Sequence, residues 1–260
     1  MTSFLGEIGK KLAERWLTSV VLPGVLFMAV LFVAWAGGWT KAIDLDALVI
    51  RLAALARKAT TNPEFAVVLV VGTLLAASGS GLLAQGLGSL VQRIWVSKRP
   101  AIVVRFRHAR SSANLARYRP ARLTSIGDRF YLLNERIDVQ YGLSVSLAWP
   151  RLWLLLKDPA PAAINSVYNR YRSAAATSGW GIMYGLVGAA WWPAIVVGVV
   201  MILVGYRRAL TSSVVLSNLL EAAVDTHQVA LATVLGISLP EGRITPPEGG
   251  QINNILNKRA

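Results

Sequence analysis

From Gly179 to Tyr206 the chain reads GWGIMYGLVGAAWWPAIVVGVVMILVGY, 28 residues without a charged side chain. A soluble core does not need such a run, whereas a bilayer asks for about 20 apolar residues per helix. The stretch therefore points to an integral membrane protein. As a single helix it would be about 42 Å long, against a hydrocarbon thickness of about 30 Å. Its middle would hold Trp191, Trp192 and Pro193. Trp belongs at the membrane–water interface, and Pro opens helices well but breaks their interiors. These three residues are expected to form an interface turn between an arm over 173–190 and a second arm over 193–206. The second arm has only 14 residues. It must tilt, thin the bilayer, or let Arg207 and Arg208 snorkel to be a span of its own.

Composition agrees with this class. The chain is 54% hydrophobic and 15% charged with a net charge of +14, as in a membrane protein whose charges lie in a few loops. It has no cysteine, which rules out disulfides and thiolate metal sites.

Residues 1–92 are read as an N-terminal surface helix followed by two spans. Leu5, Ile8 and Leu12 recur at helical spacing among Lys10, Lys11 and Arg15, as in a helix lying on a membrane. The first span is placed at 16–37, with Pro23–Gly24 as a kink. Ala34-Trp35-Ala36 resembles a signal-peptidase site, but the apolar region is long for a signal peptide, which favours a retained anchor. An amphipathic helix is expected over 44–58 and the second span over 65–91.

Residues 93–172 form a basic, mainly helical domain. It has a strand-like run at 101–106, a helix over 125–140 capped by Ser125 and stopped by Gly142, and a short helix opened by Trp149-Pro150. These residues are expected to pack against the membrane or the spans. Residues 173–236 carry the hairpin and a cytoplasmic helix with Leu216, Leu220, Ala223, His227, Ala230 and Val234 on one face and Glu221 and Asp225 opposite. The tail over 237–260, rich in Pro and Gly, is expected to be disordered.

Residues 1–15, 93–172 and 207–260 hold 23 of the 27 Lys and Arg, and residues 37–64 hold the other 4. By the positive-inside rule both termini are cytoplasmic, which requires four spans. The expected fold is an all-α membrane protein with four transmembrane helices, arranged as two hairpins, and a small basic cytoplasmic domain.

Small residues recur every four positions at Gly72, Ala76, Ser80, Ala84 and Gly88, and again at Ser173, Thr177, Gly181, Gly185 and Ala189. Such rows let helices approach closely, within one chain or between copies. Arg105, Arg107, Arg110, Arg117, Arg119 and Arg122 crowd 18 residues. They suit contact with anionic headgroups or an acidic partner. Phe106 and Tyr118 are too few to argue for nucleic acid or a nucleotide.

Catalytic constellations are hard to assemble. Ser78-Gly79-Ser80-Gly81 is similar to the serine motif of rhomboid proteases but lacks its first glycine. A serine nucleophile also needs a base, and the two histidines, His108 and His227, fall outside the expected spans. Asp225 and Glu221 sit on the wrong face to share a metal with His227. Phosphate-binding glycine loops and zinc-protease signatures do not occur. The expected spans hold no ionisable group for a proton relay. No catalytic, cofactor or metal residue is expected.

Ile126-Gly127-Asp128-Arg129, Gln140-Tyr141-Gly142-Leu143, the word Ala148-Trp149-Pro150-Arg151-Leu152-Trp153-Leu154, the Trp191-Trp192-Pro193 turn and Leu220-Glu221-Ala222-Ala223 together carry a likeness. Over about 125–236 the chain resembles a group of actinobacterial polytopic membrane proteins without an established activity. The resemblance implies a bacterial inner membrane and transfers no functional residue. The expected role is non-enzymatic: an anchor that assembles with a protein partner or with itself, extending to an oligomeric pore-type effector of a bacterial defence module. A passive channel or transporter subunit is the alternative.

Overall fold

The computed structural model describes residues 7, 10, 17–39, 44–98 and 122–257. Among them the chain is helical, with no strand. A π-helical turn, Leu17–Val21, leads into α1 (Leu22–Gly37). Then follow α2 (Leu45–Thr61), α3 (Pro63–Val96), α4 (Ser125–Tyr141), α5 (Val145–Leu155), α6 (Ala160–Val187), α7 (Pro193–Val234) and α8 (Pro246–Leu256). Most of the expected surface helix over 1–15, and the strand-like run over 101–106, lie outside the described residues.

The contacts divide the chain into two compact units. An apolar unit comprises Met1–Val91 and Ala175–Tyr206, and a basic unit comprises Gln92–Ala174 and Arg207–Ala260. Each boundary falls inside a helix, α3, α6 or α7, so no loop separates the units along the chain.

In the apolar unit, α3 and α7 are long and apolar enough to cross a membrane, and α1 is a shorter apolar helix. Val67, Val68, Leu75 and Leu82 on α3 are exposed, as are Val196, Val200 and Leu203 on α7. Contiguous apolar surface of this kind is poorly suited to water. Pro23, where a kink is expected, is the second residue of α1, directly after the π-helical turn. Pro193 begins α7, where its missing N–H has no partner to lose, and the chain turns over Gly188–Trp192 as Trp191-Trp192-Pro193 suggests. Trp191 is half-buried and Trp192 exposed. Phe27, Trp180 and Tyr184 close the core, with Phe27 edge-on to Tyr184 at 5.3 Å. At the other end, Arg51 donates to the Trp35 carbonyl (3.1 Å) and lies over its ring, and Lys58 lies over Phe65.

Small residues carry the helix packing, and part of each row takes part in it. Ala84 and Gly88 of α3 meet α6: a Cβ on Gly88 would come 2.9 Å from the Ala176 Cα, and one on Gly179 would strike the Ala84 carbonyl. Ser80 is buried, whereas Gly72 and Ala76 are exposed and contribute nothing. The turn of α3 at Ala77 and Gly81 faces Gly24 and Val20 instead. On α6, Gly181 faces α7, a Cβ on Gly185 would meet nothing, and Ser173 is exposed; Ala189 falls in the turn after the helix and is exposed as well. Spacing of four drifts around a helix of 3.6 residues per turn, so a long row cannot stay against one neighbour.

The basic unit buries two cores of its own. Leu133, Ile137, Tyr141, Val224, Leu231 and Ile252 join one cluster, and Leu156, Ile164, Val167, Leu216 and Ala223 another. Beyond Arg208, α7 thus buries two faces. Val224 and Leu231 are inside, whereas Ala230 and Val234, expected on the buried face, are exposed. Glu221 and Asp225 are not turned away either. Arg136 pairs with Glu221 at 3.0 Å, and the Tyr141 hydroxyl donates to Asp225 at 2.7 Å.

Three boundaries differ from the sequence reading. Thr124, not Ser125, caps α4, accepting from the Gly127 N–H at 3.3 Å. Gly142 ends α4 as expected, in the left-handed conformation. Helix α5 begins at Val145, so Pro150 lies inside it and not at its start. The third is the tail. Far from being disordered, Pro246–Leu256 is helical, with Ile252 and Leu256 buried. Thr245 and Glu248 close a capping box, Pro246 takes the first position, and Asn253 donates to the Gly142 carbonyl at 2.8 Å.

Candidate functional site

The basic unit carries an open cavity of about 620 Å³ with largely aromatic walls. Each wall follows from its helix. In α5, Trp149 and Trp153 are one turn apart on the same face, and their rings meet at 5.9 Å. Phe130 of α4 and Tyr171 of α6 meet edge to face at 6.0 Å, and Trp95 stands 6.2 Å beyond Tyr171. Ile164 and Tyr168 of α6 and Leu216 of α7 complete the lining, with Asn165 as a polar member.

Tyr171 is 5% exposed, and its hydroxyl has no hydrogen-bond partner. Burial first, then the neighbouring Tyr168, push its pKa up to about 12, so it remains a neutral donor. A buried hydroxyl without a partner is uncommon in a folded protein. The cavity offers shape and apolar area, with Asn165, Tyr168 and Tyr171 as polar members, which suits binding.

The residues singled out from sequence are scattered relative to this cavity. Arg105, Arg107, Arg110, Arg117, Arg119 and His108 lie outside the described residues. Arg122 is half-buried: its backbone N–H donates to Asp128 at 2.7 Å, and its guanidinium reaches the Val96 carbonyl at 3.4 Å and covers the Tyr131 ring. It ties the domain together and is not a free contact for a partner. Ser78 and Ser80 donate to carbonyls of their own helix, both at 2.7 Å. His227 sits against Thr226 at 2.8 Å.

The cavity went unnoticed in the sequence because four helices build it. Its signal was the tryptophan pair at 149 and 153, which mark one face of α5. A second, polar cavity of about 400 Å³ lies between Tyr141, Gln228, Arg243 and Thr245. The Ile244 N–H donates to the Gln228 side chain there at 3.1 Å, so it is part of how the tail docks.

No family model, curated protein or solved structure matches the chain.

Proposed function

We propose that the chain is a non-enzymatic integral membrane protein of the bacterial inner membrane, which anchors a partner protein there through its basic cytoplasmic unit. Its four spans are 16–37, 65–91, 173–190 and 193–206, in two hairpins with both termini inside. The positive-inside count and the resemblance of residues 125–236 to actinobacterial polytopic proteins support this placement.

The observation that carries the anchor reading is α7. It runs unbroken for 42 residues, from the apolar stretch after Pro193 into the two cores of the basic unit. A folded domain built on the continuation of a span suits presentation of a surface to another protein. The small-residue contacts support an anchor more than an oligomeric pore or a passive channel, since Gly88, Gly179 and Gly181 are spent within the chain.

The test is expression in bacteria with a potential-sensitive dye, alongside the molar mass of the purified protein. An anchor leaves the membrane potential intact, and deletion of the gene releases a partner from the membrane fraction. Depolarisation together with a closed ring of subunits would replace the anchor by a pore.

A further inference from the structure

We infer that the aromatic cavity of the basic unit holds an acyl chain of a membrane phospholipid. The inference rests on the membrane reading above. Phe130, Trp149, Trp153 and Leu216 offer an apolar lining, and about 620 Å³ lies within the size of sites for a single small ligand.

Three observations select a phospholipid over a free apolar molecule. The Tyr171 hydroxyl, buried and without a partner, needs an acceptor, which the ester carbonyl at the head of an acyl chain supplies and a hydrocarbon does not. Helix α5, one wall of the cavity, leaves Leu154 83% exposed beside Trp153 and Pro150 exposed as well. Trp beside exposed Leu on one short helix suits the headgroup–acyl boundary. Arg170 and Arg172, both exposed, precede and follow Tyr171 on α6, Arg170 also reaching the Ser166 hydroxyl at 3.4 Å, and they give this end of the helix the positive charge that an anionic headgroup favours. Lys157 adds a further cation, with Asp158 the acid nearest it in the chain. Tyr171 also lies four residues before Ala175, where α6 enters the apolar unit, so the cavity lining begins about one helical turn from that boundary along the chain.

The experiment is mass spectrometry of phospholipid retained by the purified protein after exhaustive detergent washing, with phosphatidylglycerol added back as the probe. The wild-type chain is expected to keep about one phospholipid per protein. Asn165→Trp fills the cavity from an exposed helical position and is expected to lower retention about ten-fold. Asn169→Trp, one turn further along α6 and outside the lining, should retain lipid as the wild type does. Tyr171→Phe keeps the wall and is expected to weaken retention several-fold with unchanged melting. Equal retention by the wild type and Asn165→Trp would overturn the inference, as would equal losses in the two tryptophan variants. Flotation of cell membranes tests the membrane reading separately. A protein that floats but keeps no lipid defeats this inference alone.

Discussion

Gly181 of α6 and Gly198 of α7 stand backbone to backbone: a Cβ on either glycine would come 2.7 Å from the carbonyl oxygen of the other. No side chain fits there, so this pair sets how closely the two arms of the hairpin approach. Gly181→Ala or Gly198→Ala should therefore cost about 1–3 kcal/mol, the usual range for overpacking. A Cβ on Gly185, one turn along α6, would meet nothing, and Gly185→Ala should change stability by less than about 0.5 kcal/mol. Thermal unfolding in detergent compares the three. Equal melting of all three variants would contradict the packing described.

The Tyr141–Asp225 bond joins α4 to α7. Burial first, then Asp225, raise the Tyr141 pKa to about 12 from 10.0. The folded state thus holds this proton more tightly than the unfolded chain. Its stabilising contribution is complete below pH 10 and is lost as pH rises from 10 to about 12. Melting temperature should fall across that window, and less steeply in Tyr141→Phe. That variant should itself cost about 1.5–3 kcal/mol at neutral pH, as expected for a hydrogen bond to a charged group.

Helix α8 closes the core of the basic unit through Ile252. Ile252→Ala should destabilise by about 2–5 kcal/mol, a loss a disordered tail would not feel. The Glu248 carboxyl is held below the usual range, chiefly by Thr245. Its contribution is present above pH 4.5 and disappears as pH falls through its lowered value. The protection of amides over 246–256, taken relative to their intrinsic exchange at each pH, should fall in that acid range, and Glu248→Gln should remove this acid dependence.

Replacing Arg105, Arg107, Arg110, Arg117 and Arg119 by Gln should weaken capture of phosphatidylglycerol vesicles by the protein held in neutral nanodiscs. The expected loss is about 1 kcal/mol per residue at low salt. Moderate salt should mimic it in the wild type, because attraction between charges through water is screened over about 10 Å. Arg122→Gln, by contrast, should lower stability, since Arg122 is engaged inside the domain. Vesicle capture indifferent to both substitution and salt would reduce the five arginines to a topology signal.

Local chemistry was readable in advance and partnership was not. Pro193 after two tryptophans, Gly142 after a helical period and the helix over 44–58 each act within a few residues, and the structure has them in place. The small-residue rows announce close packing, yet spacing alone does not say that Gly179 meets α3 while Gly181 meets α7. The Pro and Gly content of the tail suggests a loop, whereas the structure has a helix there. Thr245-Pro246-Pro247-Glu248, a capping box with Pro at the first helical position, carried the opposite message. The cavity needed Phe130, Trp153, Tyr171 and Leu216 from four helices, and nothing in the chain order unites them.

The most direct test of a four-span anchor is the sidedness of two positions. The chain has no cysteine, so Thr60→Cys and Ser238→Cys, both at exposed sites, can each be labelled alone with a membrane-impermeant maleimide on intact spheroplasts. The account predicts that Thr60→Cys is labelled from outside, and that Ser238→Cys is labelled only after the membrane is opened. Labelling of both from the same side would contradict it.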